Sequence, residues 1–147
     1  MKILRLFGHP YTLIVCFCFI LISGEHWGGF YVVYILMALP FGRLQSILAL
    51  VGIIVLIFSY INPYLSIGRI TAQLLNILGV LSLLCSLVIF FKRDTAHYNW
   101  GTFYQAIPLF TLSFTAFVAL CFLVNTFLTQ SKKRPSKMPP LSKAQAR

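Results

Sequence analysis

Residues Ile70–Phe91 read ITAQLLNILGVLSLLCSLVIFF, with Arg69 before them and Lys92-Arg93-Asp94 after, and no charge interrupts the run. At about 1.5 Å per residue the run reaches roughly 33 Å, against about 30 Å for the apolar core of a bilayer. It is expected to be a transmembrane helix. Its polar and small residues, Arg69, Gln73, Asn76, Gly79 and Ser86, fall near one side at helical spacing. A polar side chain turned to lipid is left unsatisfied, so this stripe is expected to face other helices.

The rest of the chain fits the same environment. Of its 147 residues 59% are hydrophobic and only 10% charged, too apolar for a soluble domain of this length. The expected fold is all-α: a polytopic membrane protein with four transmembrane helices plus a half-helix or kinked segment near Phe30–Gly42. The spans fall at about 4–23, 44–61, 70–91 and 104–128, within one transmembrane domain over 1–130. A short apolar segment occupies 30–41, and a basic, Pro-rich, disordered tail occupies 131–147.

Pro10 suits a first helical turn. The basic start and short apolar run also resemble a secretory signal. Ile22 is too large for the −3 position of a cleavage site before Glu25, and further spans follow, so retention is expected. Gly28-Gly29 breaks the first span, and Trp27, Tyr31 and Tyr34 suit an interface belt. Pro40-Phe41-Gly42-Arg43 interrupts the next apolar region. The piece before it reaches only about 15 Å, so it is a half-helix, the start of a kinked helix, or a short fifth span. On the longer piece Gly42, Gln45, Ala49, Gly52 and Ser59 form a small-residue face suited to close helix packing. Pro108 falls in the first turns of the last span, where it kinks rather than interrupts. Along that span Thr111, Thr115, Phe122, Asn125 and Thr129 share one side.

Twelve basic residues face two acids, for a net charge of +10. With four spans, Lys2, Arg5, Arg69 and the tail residues Lys132, Lys133, Arg134, Lys137, Lys143 and Arg147 share a side, opposite Lys92 and Arg93. Five spans would separate the termini and divide the charge almost evenly. The positive-inside rule therefore favours four spans with both termini cytoplasmic, in a plasma (inner) membrane. The tail suits anionic lipid headgroups, and it lacks the interleaved aromatics of a nucleic-acid-binding segment.

Few residues carry chemistry. Cys16, Cys18, Cys85 and Cys121 lie in apolar stretches without metal or redox spacing and read as packing residues. Under the four-span topology Glu25, His26, Asp94 and His97 share the outer face, where such side chains can bind a divalent ion or relay protons. Their spacing specifies no metal, and the alternative pairs Glu25 with Lys92 or Arg93. Glu25 is expected nearer to a basic side chain than to Asp94 or His97. Arg43, Gln73, Asn76 and Asn125 are the candidate polar interhelical residues. No motif of an intramembrane enzyme and no cofactor signature is present. The function expected is that of a small non-catalytic accessory or partner-binding subunit, whose partners are the bilayer and other membrane proteins or copies of itself. The alternative is an oligomeric transporter or channel with a polar path near Gln73, Asn76 and Asn125.

Reporter fusions at Arg147 and beside Tyr98 are expected to report opposite sides of the membrane. The same side for both would rule out the four-span arrangement.

Overall fold

Pro10 has no N–H to lose in a first turn, and helix α1 (Pro10–Cys18) begins there. His9 caps it, its Nδ1 accepting from the Tyr11 N–H at 3.4 Å. The computed structural model describes residues 6–24, 28–61, 68–94 and 98–131. It departs from the expected first span at Cys18, where α1 ends after about 13 Å. The residues that follow, Phe19-Ile20-Leu21-Ile22, are aromatic and branched, types that favour extended backbone. Strand β1 (Leu21–Ile22) pairs antiparallel with β2 (Gly29–Phe30), Leu21 opposite Phe30 and Ile22 opposite Gly29.

Helix α2 (Tyr31–Ala38) and a 3-10 turn (Leu39–Phe41) come next. Gly42 closes the turn at φ +60°, a left-handed conformation that favours glycine. Of the alternatives for this region the structure shows the half-helix. Helix α2 is about 12 Å long and separated from its successor by the Gly42 turn. It buries Tyr31 and Ile35 and exposes Leu36 and Met37.

Helices α3 (Leu44–Ile61), α4 (Arg69–Arg93) and α5 (Ala106–Ser131) complete the fold, with a 3-10 segment (Tyr98–Phe103) before the last. Pro108 lies in the first turn of α5, and the helix runs on through it. Three stretches, Leu44–Ile61, Ile70–Arg93 and Ala106–Leu128, are long and apolar enough to cross a membrane. The expected fourth helix over 4–23 is instead the nine-residue α1 continued by an extended strand.

Helices α3 and α4 form an antiparallel pair. The buried face of α3 is Ser46, Ala49, Gly52, Leu56 and Ser59, at helical spacing. It meets α4 at three levels. Ser86 bonds Gln45 at one end, Gly52 lies against Gly79 in the middle, and Ser59 bonds Ala72 at the other end. A Cβ on Gly52 would come within 2.8 Å of Leu83 Cδ2 and 3.0 Å of Gly79 O, and one on Gly79 within 2.7 Å of Leu56 Cγ. The two backbones touch because neither residue has a side chain. The antiparallel pairing puts Arg43 at the same end as Lys92 and Arg93, and all three are exposed.

The segment from Leu6 to Ser23 runs antiparallel to α5. Gly8 meets Asn125, Cys16 meets Thr115, and Leu21 meets Thr111. Leu13, Phe17 and Ile20 of this segment join Val80, Leu83 and Leu87 of α4 and Val118 and Phe122 of α5 in the core. Tyr31 closes that core, edge-on to Phe17 at 5.3 Å and to Phe90 at 5.2 Å.

Gly52→Leu is expected to lower stability by about 1–3 kcal/mol or more by forcing α3 from α4. Leu81→Phe, at a position 51% exposed, is expected to change little. Thermal unfolding in detergent checks both, and equal small losses would refute the close contact.

Candidate functional site

Extended backbone has no helix to satisfy its N–H groups, and between β1 and α5 the partners are threonines. Thr111 Oγ1 accepts from Leu21 N–H at 3.1 Å and donates its own proton to Pro108 O at 2.8 Å. Thr102 Oγ1 accepts from Ser23 N–H at 2.9 Å, and both residues are buried. Thr115 shares its proton between Thr111 O at 2.8 Å and Cys16 O at 3.2 Å. Thr115 thus back-bonds within its helix, and the Thr111 oxygen keeps a lone pair for a neighbouring segment. Asn125 ends the row, its Nδ2 donating to Gly8 O at 3.2 Å. A Cβ on Gly8 would fall within 2.4 Å of that amide, so glycine is required for the approach.

A second polar node joins α2, α3 and α4. Ser86 Oγ donates to Gln45 O at 2.6 Å and lies 2.8 Å from Tyr31 Oη. Ser86 has one proton and spends it on the carbonyl, so Tyr31 is the donor in the second bond. Beside this node Gln45 Oε1 and Ser46 Oγ are buried without a hydrogen-bond partner among the described residues.

The sequence candidates separate. Asn125 on α5 bonds Gly8 O, in the turn before α1. Arg43 is exposed at the start of α3, its N–H donating to Ala38 O at 3.3 Å. Gln73 and Asn76 are half-buried on α4. At 100° per residue Asn76 lies about 60° round the helix from Gly79, toward the side that packs on α3, and Gln73 about 120°. Glu25, His26 and His97 lie outside the described residues, and with them the expectation that Glu25 pairs with a basic side chain. Asp94 turns its carboxylate to the Asn99 N–H at 2.6 Å. Among the described residues no three His, Cys, Asp or Glu side chains come together.

Two readings need correction. Tyr31, expected in an interface belt, is fully buried with its hydroxyl bonded. Cys85, read as a packing residue, is exposed on α4. Thr102 was not among the candidates, since it sits in a loop outside every apolar run. The signal for it is indirect: the extended Leu21–Ile22 requires acceptors for the N–H groups in and beside it.

Two cavities flank α4. One of about 70 Å3 lies between α1, α4 and α5, lined by Phe17, Leu83 and Ala119. The other, of about 830 Å3, opens between α4, α5 and the 3-10 segment, with Lys92, Trp100 and Leu112 among its walls. Gln73, Asn76 and Asn125 line neither. No protein-family model, curated protein or solved structure matches the chain.

Thr111→Val and Thr102→Val each keep the side-chain shape and strand one buried N–H. Each is expected to cost about 1–3 kcal/mol. Thr126, which bonds only Phe122 O of its own helix, is the control, and Thr126→Val is expected to lose well under half as much. Chemical or thermal unfolding in detergent measures all three.

Proposed function

We propose that the chain is a small non-catalytic membrane protein that binds a partner membrane protein through the Gln73–Asn76 side of α4. In this reading the chain crosses the bilayer four times. Helices α3, α4 and α5 supply three crossings, and α1 with its extended continuation supplies the fourth. The register of Leu6–Ser23 along α5 and the 3-10 segment before it supports that fourth crossing, since its contacts run from Asn125 to Thr102. Helix α2 stays at one end, because Tyr31 at its start and Gln45 after it both meet Ser86.

One observation carries the partner reading. Asn76 is half-buried on α4, where between Ile70 and Phe91 the other polar side chains are those of Thr71, Gln73, Ser82 and Ser86. Helix α4 is about 37 Å long, so a centred 30 Å core puts Asn76 roughly 7 Å inside the hydrocarbon. An amide there needs a hydrogen-bonding neighbour. Gln73, three residues before it, faces the same demand nearer the surface. Asn125 has met that demand inside the chain, whereas Asn76 and Gln73 are positioned to meet it with another membrane segment. Such bonds contribute about 0.6–2 kcal/mol each, enough to orient an association that apolar packing drives.

The positive-inside rule sets the orientation in this proposal. Leu6 and Ser131 lie at the end opposite Arg43, Lys92 and Arg93. The basic residues before Leu6 and after Ser131 then mark the cytoplasmic side, and Arg43 joins the minority on the other. The second reading, an oligomeric transporter or channel, uses the same two amides between copies of this chain.

A photo-crosslinking residue at Asn76 is expected to trap one second membrane protein, and the same residue at Leu81 to trap none. A band at twice the chain's own mass selects the oligomeric reading instead. No band from Asn76 or from Gln73 would overturn both.

A further inference from the structure

The 830 Å3 groove lies at the end of the fold that carries Lys92 and Arg93, away from Gln73 and Asn76. Its floor runs along α4 from Leu84 to Lys92, about 12 Å of helix. Val88 and Leu112 extend the apolar wall, and Val88 is 62% exposed, so the groove opens sideways where α4 and α5 would face lipid. At its upper end the rings of Phe91, Phe103 and Trp100 form a shelf, Phe91 to Phe103 at 4.8 Å and Phe103 to Trp100 at 6.3 Å. Lys92 stands on the rim as the charged member of the lining.

We propose that this groove seats an anionic phospholipid, one acyl chain along Leu84 and Val88 and the phosphate on Lys92. Three observations favour that occupant. A spanning helix needs a contact surface near 30 Å long, and this groove is less than half of that. Its apolar wall ends in one cation at the height where an aromatic shelf marks the headgroup level. The charge there is net positive among the described residues: Lys92 and Arg93 are both exposed, against the single carboxylate of Asp94, which accepts from the Asn99 N–H. A net negative headgroup complements that charge better than a zwitterion does. The inference rests on the membrane reading of α4 and α5 and not on the partner-binding reading of Gln73 and Asn76.

Trp27→Phe leaves Trp100 as the sole tryptophan of the 147 residues, so its fluorescence reports on the groove. The protein is reconstituted in phosphatidylcholine vesicles containing phosphatidylglycerol, with bromine on the upper acyl chain of one lipid or the other. Brominated phosphatidylglycerol is expected to associate with the Trp100 site about fivefold more strongly than brominated phosphatidylcholine. Lys92→Gln, at an exposed position, is expected to erase that preference, and Val88→Phe to reduce quenching by both lipids by filling the groove. Equal quenching by the two lipids marks ordinary annular lipid and overturns the proposal. So does a preference that survives Lys92→Gln. Flotation of every variant with its vesicles tests membrane insertion separately, and circular dichroism confirms that helix content is retained.

Discussion

An N–H group removed from water must find another acceptor, and the fold turns on how one short extended segment meets that demand. Helices satisfy their own backbone. The N–H groups of Phe19 and Ile20 still reach back to Val15 O and Phe17 O, but those of Leu21–Ser23 do not, and their acceptors come from two directions. The two-residue pairing with Gly29–Phe30 covers one side, and the hydroxyls of Thr111 and Thr102 cover N–H groups on the other. Remove those hydroxyls and the strand has no reason to lie against α5. Leu13, Phe17 and Ile20, anchored on either side of the helix end, would lose their place in the core with it. In the proposed membrane setting the demand is stricter still, because lipid offers no substitute donor or acceptor.

The two seams of the molecule are made differently. Between α3 and α4 the middle of the contact is one of shape, where Gly52 and Gly79 bring backbones together and Leu56 and Leu83 fill the space beside them, with one serine bond at each end. Between the α1–β1 segment and α5 the contact is one of hydrogen bonds from Thr102, Thr111, Thr115 and Asn125. The difference follows from the partners. Two long helices gain most from dispersion along a close ridge, whereas a helix beside a part-extended chain must also answer exposed backbone.

That difference also decides what was legible in the sequence. Helix α3 was readable to its ends, since Pro40-Phe41-Gly42 stops what precedes it and apolar residues fill the rest. Ala49, Gly52 and Ser59 of the small-residue face were readable because small residues recur at helical spacing, whereas Gly42 lies in the exposed turn before α3 and Ser46 and Leu56 complete the buried face. Helices α4 and α5 were readable from length and hydropathy. The end of α1 at Cys18 was not, because an uninterrupted apolar run has no period that separates a buried helix from a buried strand. Tyr31 shows the same limit for a single side chain: aromatic character near a glycine pair suits an interface belt and a closed core equally, and only Ser86, 55 residues away, decides between them. Asn125 was visible as a deep polar residue. That its acceptor is Gly8 O, 117 residues away, is a property of the fold alone.

The polar residues of the apolar helices therefore divide by where their partners lie. Ser59, Ser86, Thr115 and Asn125 each bond a backbone carbonyl on another segment of this chain, and those bonds hold the two seams. Asn76 and Gln73 sit on α4 beyond the level where the α1–α4–α5 cavity residues Val80, Leu83 and Leu87 pack. They retain partial exposure there. In an apolar helix a surface amide that only stabilised the monomer would be better replaced by leucine, which needs no partner. Placing two such amides three residues apart favours association with something that offers complementary donors and acceptors. This ties the partner-binding proposal to the same physical demand that shapes the α1–α5 seam, with the answering group supplied by a second protein.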